Sequence, residues 1–139
     1  MSRETYTADT NSLLFYIADV LPDTANAVYQ TALDGETTIQ LPPIAAAEAA
    51  YILNSRQKIR GIRLRADADD LVTALDNFLP MTVVRSDMDD LRAMLNWTAS
   101  FPKQIHDALI LASHEARKTD AIITNDPQMQ DADVPTVWE

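Results

Sequence analysis

Short strand-like segments alternate with helix-like segments along almost the whole chain. The expected strands are residues 6–8, 37–41, 81–84, 121–124 and 135–138. In the intervening segments, apolar side chains recur every three or four residues, as they do on one face of a helix; these segments are 11–20, 22–33, 42–53, 67–79, 86–97 and 105–117. This alternation predicts a single α/β domain over residues 1–139. We expect a three-layer sandwich with a central parallel sheet of four or five strands and helices on both faces.

The chain is strongly acidic, with a formal charge of -10 over 139 residues. Of its 21 acidic residues 16 are Asp, whereas only three of its 11 basic residues are Lys. Such a composition is typical of proteins kept soluble at high salt, so a halophilic source is a hypothesis that stability measured against KCl concentration would test. The acidic field also disfavours simple adhesion to nucleic acid, so RNA binding would need local cations or a metal.

The sequence contains no cysteine, which excludes disulfide frameworks, zinc ribbons and thiol nucleophiles. Its first residues, MSRETYTADT, lack the apolar core of a signal peptide. No apolar run approaches the roughly 20 residues that a membrane-spanning helix needs. We therefore expect a cytoplasmic protein that does not contact a membrane.

Four acidic residues stand at positions where an acid needs an explanation. Asp9 and Asp126 follow predicted strands, Asp107 lies in a largely apolar helix, and Glu48 stands among alanines in LPPIAAAEAAYIL. Each has an ordinary alternative. Asp9 can cap a helix, Asp126 fits an Asn-Asp-Pro turn, and the other two can face solvent or a polar partner.

A shared site would explain all four acids together. The carboxyl ends of parallel strands meet at one edge of a sheet, where ligands usually bind. Two like charges 4 Å apart repel by roughly 4 kcal/mol at an effective dielectric constant near 20, so clustered carboxylates need cations. Mg²⁺ or Mn²⁺ would suit oxygen ligands, hold phosphate oxygens and lower the pKa of a bound water, which is the chemistry of phosphodiester hydrolysis.

The order of these acids resembles the acidic signature of PIN-domain ribonucleases. The matching pieces are Asp9 in DTNSLL, Glu48 on its helix, Asp107 in HDALILA and Asp126 in TND. The resemblance covers essentially the whole chain and implies a metal-dependent endoribonuclease, as in the VapC-type toxins. One alternative is a toxin whose activity matters only in relation to an antitoxin protein, so that this chain is half of a complex. It also implies that the four acids are the catalytic residues and the Mg²⁺ or Mn²⁺ ligands.

The same resemblance implies roles for residues beside these acids. Thr124 and Asn125 would shape the site, and Thr10 or Asn11 would hold a metal-bound water or a neighbouring acid. The chain departs from many relatives after TND, where they carry a further acid and an aromatic residue and this chain has PQM.

The segment SRQKIRGIRLR, residues 55–65, contains five of the 11 basic residues. Arg56, Arg60 and Arg63 would share a helical face if Gly61 does not break the helix. They would then bind RNA phosphates beside the site; the alternatives are a solvated surface paired with the following acids, or a dimer contact. Lys103, one turn before Asp107, is a further candidate for orienting a phosphate.

Other conspicuous side chains have ordinary explanations. His106 is next to Asp107, but adjacent helical residues point about 100° apart, so we do not expect His106 to act as a catalytic base. Trp97 and Phe101 are expected in the core, with base stacking as the alternative. The apolar face of residues 87–97 suggests a homodimer surface.

Two other functions remain open at this stage. One is a PIN-fold RNA-binding or scaffold module with weak catalysis. The other is a phosphohydrolase of a different α/β family, although the usual Asp-x-Asp is missing because Thr10 and Asn11 follow Asp9.

Overall fold

The computed structural model describes residues 3–99 and 104–139. Its strands are β1 (Glu4–Ala8), β2 (Thr37–Leu41), β3 (Lys58–Ile59), β4 (Ile62–Arg63), β5 (Thr82–Val83), β6 (Ala121–Ile123) and β7 (Thr136–Val137). Its helices are α1 (Thr10–Ile17), α2 (Asp23–Leu33), α3 (Pro43–Asn54), α4 (Ala68–Asn77), α5 (Met88–Trp97), α6 (Ile105–Arg117) and α7 (Pro127–Asp131). Phe101 and Lys103 lie outside the described residues.

A five-stranded sheet in the order β5-β2-β1-β6-β7 forms the centre of the fold, and every pair of neighbouring strands is parallel. Helices flank this sheet, so the predicted α/β architecture is confirmed. β1 lies in the middle, and its last residues are buried, as are all three residues of β6. Burial on both faces explains the continuous apolar run of β6, AII, which is typical of covered parallel sheets.

The basic segment is not helical, so the helical face that Arg56, Arg60 and Arg63 would share if Gly61 did not break the helix does not form. Helix α3 ends at Asn54, and β3 then pairs antiparallel with β4. The two turn residues have positive φ angles, 49° at Arg60 and 80° at Gly61. Two-residue hairpin turns need this left-handed backbone, which glycine adopts without strain. Gly61 therefore supports a hairpin at the place where a helix would have continued.

The alanines of α3 allow it to pack closely against other helices. Ala45 and Ala49 are fully buried, and Leu53 continues the same buried stripe at intervals of four residues. The main contacts of α3 are with α1, α4 and α6. Helix α1 begins directly after Asp9, and the first turn of α6 contains Asp107. Close packing of α3 against these two helices therefore brings Glu48 toward both acids.

Helices α5 and α6 pack against each other through a buried ion pair as well as apolar contacts. Arg117 binds the carboxylate of Asp90, which is only 4% exposed, and also the carbonyl oxygen of Arg85. The indole of Trp97 packs against the core and donates to Glu115 over 2.8 Å. The prediction that Trp97 belongs to the core is therefore confirmed.

None of the helices in the described part of the chain is long and apolar enough to cross a membrane.

Candidate active site

The end of β1 and the end of β6 place Asp9 beside Thr124. In the sheet register Ala8 pairs with Ile123, and the backbone N–H of Asp9 donates to the Ile123 carbonyl oxygen over 3.2 Å. Asp9 is 4% exposed, and its Oδ1 accepts a hydrogen bond of 2.8 Å from the backbone N–H of Ser12. The helix-capping interpretation of Asp9 is thus correct, and the same capping bond fixes the carboxyl at the edge of the sheet.

Thr124 also orients Asp126. Its fully buried hydroxyl accepts from the backbone N–H of Asp126 over 3.0 Å. Oδ1 of Asp126 accepts from the backbone N–H of Gln128 over 2.8 Å, which caps α7. The PQM residues that depart from many PIN relatives form this short helix, and they anchor it through the buried side chain of Met129.

Glu48 reaches the same edge from α3 and does not point into bulk solvent. One oxygen accepts from the Thr10 hydroxyl over 3.0 Å, and the other lies 2.9 Å from Nδ1 of His106. Only 27% of the Glu48 side chain is exposed. Thr10 directly follows Asp9, so this contact ties the two acids to one site.

Asp107 is the carboxyl most affected by its neighbours. Partial burial raises its pKa, and the charge of Asp126, a hydrogen bond shared with Asp126 and the charges of Asp9 and Glu48 raise it further, to about 7. The structure therefore brings the other three predicted acids within electrostatic reach of Asp107. Near neutral pH this group cannot be fully ionised without added positive charge.

Asp9 is perturbed mainly by its own burial. Burial raises the pKa of Asp9 to about 6, and the charge of Asp126 acts in the same direction. Hydrogen bonds from Thr124 and Ser12 partly offset these effects. A buried carboxyl with so high a pKa costs folding free energy whenever it ionises, and carboxyls of this kind are frequent at functional sites.

The two predicted asparagines meet on the more exposed side of the site. The Asn11 side-chain amide donates to Oδ1 of Asn125 over 3.4 Å. This long contact links α1 to the segment after β6. All four predicted supporting residues, Thr10, Asn11, Thr124 and Asn125, therefore lie at the edge formed by β1 and β6.

His106 is a site residue that the sequence reasoning missed. Its Nδ1 contacts the Glu48 carboxylate. Glu48 also raises the pKa of Asp107, so the neighbouring residues His106 and Asp107 both interact with Glu48. The 100° separation between helical neighbours did not exclude this, because the long Glu48 side chain from α3 meets the first turn of α6. The only sequence signal was a histidine in that first turn.

Two hollows adjoin the carboxyl cluster. One, of about 290 Å³, is lined by Glu48, Gln104, Ile105, His106 and Asp107. The other, of about 540 Å³, lies along α3 and shares Glu48 and His106 with the first. The acids thus stand next to space that is large enough for parts of a substrate.

The predicted RNA-binding arginines, Arg56, Arg60 and Arg63, make no direct polar contact with this cluster in the part of the chain that the structure describes. Arg60 instead lies over the Phe15 ring, with its guanidinium carbon 5.9 Å from the ring centre. Arg56 is exposed and precedes Gln57, which lines the larger hollow. Their role in RNA binding stays a prediction.

The donor set fits a hard divalent cation in its chemistry. Carboxylate oxygens are the ligands that Mg²⁺ and Mn²⁺ prefer. The pKa of Asp107 is raised first by burial and then by the neighbouring carboxylates, whose charge a cation would compensate. Within residues 3–99 and 104–139, no three acidic or histidine side chains are already arranged to hold an ion. Mg²⁺ commonly binds through one or two carboxylates together with waters and substrate phosphates, so this geometry is compatible with it.

The sequence matches the family model of the PIN domain over residues 6–135. The chain belongs to the PIN domain family. A search of curated protein sequences finds no match. The resemblance inferred from the four acids is therefore confirmed at the level of the family.

Solved structures with the PIN fold agree with this assignment. VapBC2 from Rickettsia felis, bound to a DNA fragment from its promoter, is similar with a TM-score of 0.68 and 18% identity, over 97% of this chain and 99% of that one. VapC20 from Mycobacterium tuberculosis, a sarcin-ricin loop cleaving toxin, gives 0.66 and 15%, over 96% and 99%. A toxin-antitoxin complex from Klebsiella pneumoniae gives 0.62 and 16%, over 95% of both chains. At these identities the likeness concerns the fold.

Proposed function

We propose that this PIN-domain protein is a metal-dependent endoribonuclease. The observation that carries the proposal is the convergence of Asp9, Glu48, Asp107 and Asp126 at one sheet edge, with the pKa of Asp107 raised to about 7 by burial and by the other three. Asp9 and Asp126 also cap helices, but capping does not require four acids at one place, and repulsion among them opposes folding, so use in catalysis is the better explanation for the cluster. The toxin activity of a structurally similar PIN protein gives the proposal its substrate, RNA.

Each acid has a proposed role that follows from its surroundings. Asp9, Asp107 and Asp126 would hold Mg²⁺ or Mn²⁺ with the help of waters and a substrate phosphate. When bound, the ion would neutralise phosphate charge and favour ionisation of a water. Glu48 is held on both oxygens by Thr10 and His106, so it can orient a water without changing position.

The proposed reaction is direct hydrolysis. A water oxygen bonds to the phosphorus and loses one proton to the solvent while a phosphorus–oxygen bond of the RNA backbone breaks. The departing oxygen takes up one proton, which leaves one phosphate end and one hydroxyl end. The described site offers no cysteine nucleophile, and no covalent enzyme intermediate is needed. Thr124 contributes by fixing Asp126 and by stabilising the ionised form of Asp9.

Cleavage of a mixed RNA pool with mapping of the new ends tests this proposal. The wild-type protein should cut with Mn²⁺ or Mg²⁺ and stop cutting in EDTA. Asp107→Asn should lower the rate by at least about 100-fold while the protein stays folded, because the charge at the reaction centre is lost. Asp120→Asn removes an acid that binds the Thr5 backbone away from the site, so it should cut like the wild type.

Undiminished cutting in EDTA, or full activity of Asp107→Asn, would refute the mechanism. If the wild-type protein binds RNA tightly but does not cleave it with either Mn²⁺ or Mg²⁺, the alternative of a PIN-fold RNA-binding module is favoured.

We also propose an antitoxin-like protein partner, because similar structures include toxin-antitoxin complexes. A cleft of about 450 Å³ lies away from the acids, between α1, α2, α3 and α4. It is lined by apolar groups that include Tyr16, Leu71 and Phe78, with exposed Asp19 and Asp70 beside them. It suits an amphipathic segment with flanking basic residues. Copurification with the product of the adjacent gene, and its loss in Phe78→Glu, would test this.

We also propose that, without its protein partner, this protein is a homodimer whose interface is formed by α5. Met88, Leu91 and Leu95 follow one another at helical spacing, and they are 58%, 45% and 64% exposed. An exposed apolar stripe of this kind is typical of association surfaces.

A further inference from the structure

We propose that the larger hollow beside Glu48 binds one unpaired nucleobase of the RNA, next to the phosphodiester that is cut. This inference rests on the proposed function and adds the part of the substrate that is recognised. The hollow measures about 540 Å³, and the residues that matter for the argument are Ile44, Glu48, Tyr51, Ile52, Gln57 and His106.

One face of α3 carries both the carboxylate and the wall of the hollow. Ile44, Glu48, Tyr51 and Ile52 follow one another at intervals of four, three and one residues, which places them on one side of the helix. The buried stripe that begins at Ala45 lies about 100° away and packs into the core. A group seated on this face would therefore touch the site residue Glu48 directly.

Tyr51 is the aromatic residue that this hollow offers to a ligand. It is 73% exposed, one helical turn beyond Glu48, and packing in the core does not account for its ring. Proteins that bind single-stranded RNA commonly stack bases on such exposed rings. Because every base has a π face, stacking here would position a strand without requiring a particular sequence.

The remaining wall suits the face and edge of a base. Ile44 and Ile52 are partly buried and give an apolar floor. Gln57 is exposed at the rim, and its amide can both donate to and accept from a base edge. His106 is 53% exposed, and it closes the side nearest the carboxyl cluster while its Nδ1 holds Glu48.

Charge favours a base over a phosphate in this hollow. Glu48 would repel a phosphate group placed against it, whereas a neutral base carries no such penalty. Exposed Arg56 and Lys58 flank Gln57, so the backbone on either side of the base has cations within its reach. The base would occupy the hollow, and the phosphate would lie toward the four acids and their cation.

Two equally exposed aromatic residues give a matched pair for the test. Tyr51 lines the hollow, whereas Phe78, 69% exposed, lines the separate cleft on α4. Binding is measured in the Asp9→Asn background, which should bind RNA without cutting it, by fluorescence anisotropy with a short unpaired RNA that spans a mapped cleavage site. Tyr51→Ala should weaken binding by about 10-fold, the effect of removing one base stack, while Tyr51→Phe and Phe78→Ala stay within about twofold.

An abasic nucleotide placed beside the cleavage site supplies the second measurement. It should weaken binding by a factor similar to that of Tyr51→Ala, and the two changes together should cost no more than either alone, because both remove the same stacking interaction.

The possible failures can be told apart. If the wild type cuts RNA but Tyr51→Ala binds as tightly as Phe78→Ala, the nucleobase site is wrong and the nuclease stands. If Tyr51→Ala disrupts only association with a protein partner or a second copy, the surface belongs to that partner and the inference is overturned. If the wild type neither binds nor cuts unpaired RNA, the proposed function itself is wrong.

Discussion

Replacing Asp9 by Asn should stabilise the metal-free protein and abolish its activity. The pKa of Asp9 is raised mainly by burial, from 3.8 to about 6. At 1.36 kcal/mol per pKa unit, keeping this group ionised costs about 3 kcal/mol of folding free energy. Asn is nearly isosteric and caps helices as well as Asp does, so the hydrogen bond from Ser12 can be kept. We expect a gain of about 3 kcal/mol above pH 7, since Asn avoids the burial of a charge.

The pH dependence follows from the direction of this change. The folded state has the higher pKa, so between pH 4 and pH 6 it binds more protons than the unfolded chain does. The contribution of Asp9 to the free energy of unfolding therefore falls as the pH rises through this window. Because Asn does not titrate, its advantage should be about 0.5 kcal/mol at pH 4 and about 1.5 kcal/mol at pH 5, and it should level off near 3 kcal/mol above pH 7.

Urea unfolding in EDTA at pH 4, 5 and 8 measures these differences. Asp67→Asn is the matched control, because Asp67 also caps a helix, α4, but is exposed. The pKa of Asp67 lies below its ordinary value, chiefly because of the backbone N–H of Asp70, so its replacement should not stabilise the protein at pH 8. Added Mg²⁺ or Mn²⁺ should stabilise the wild type by about 3 kcal/mol at 100 times its dissociation constant, and should stabilise Asp9→Asn much less.

Two results would refute this reasoning. The first is an Asp9→Asn protein that is less stable than the wild type at pH 8 in EDTA, because ionised Asp9 would then not destabilise the folded state. The second is a difference that does not change between pH 4 and pH 8, because the effect would then not come from titration.

Three further predictions concern the surface. Replacing Arg56, Arg60 and Arg63 together by Gln should reduce the salt dependence of RNA binding. The slope of log K against log salt concentration should fall by about 0.7 for each RNA phosphate that these side chains no longer neutralise, whereas Arg92→Gln should leave it unchanged. An unchanged slope in the triple variant contradicts the phosphate-binding hypothesis. Leu95→Glu should give a monomer in light scattering where the wild type gives a dimer, and a wild type that is already monomeric contradicts the α5 interface. The free energy of unfolding should rise from low to molar KCl because acidic side chains repel one another less, and a fold indifferent to salt contradicts the halophilic hypothesis.

The main elements of the fold could be predicted because each has a local signal. Every strand of the five-stranded sheet has a counterpart among the predicted segments, and residues 105–117 match α6 at both ends. The β3–β4 hairpin was missed because its strands have two residues each, too few for a period of two to be recognised. Helix α7 was missed for a similar reason, since five residues after an Asn-Asp-Pro turn show no helical period.

The candidate site was only partly predictable. Asp9 and Asp126 could be placed at strand ends from sequence alone, because a parallel sheet brings such ends to one edge. The placement of Glu48 and Asp107 depended on how their helices pack. His106 was not expected to act at the site because adjacent helical residues point about 100° apart. Contact between His106 and Glu48 joins residues far apart in the chain, so no local pattern reports it.

The sequence by itself determined the α/β alternation, the acidic composition and the four acids whose order resembles the acidic signature of PIN-domain ribonucleases. These properties are local or compositional, so they survive without knowledge of how the elements pack. Only the tertiary structure decided which groups share an environment. The pKa of Asp107 near 7, the two contacts that hold Glu48, and the exposure of Tyr51 next to it all arise between elements that meet only in the folded chain. Burial and electrostatic interaction depend on distance in space, and that distance is set when α3 and α6 pack at the edge of the sheet.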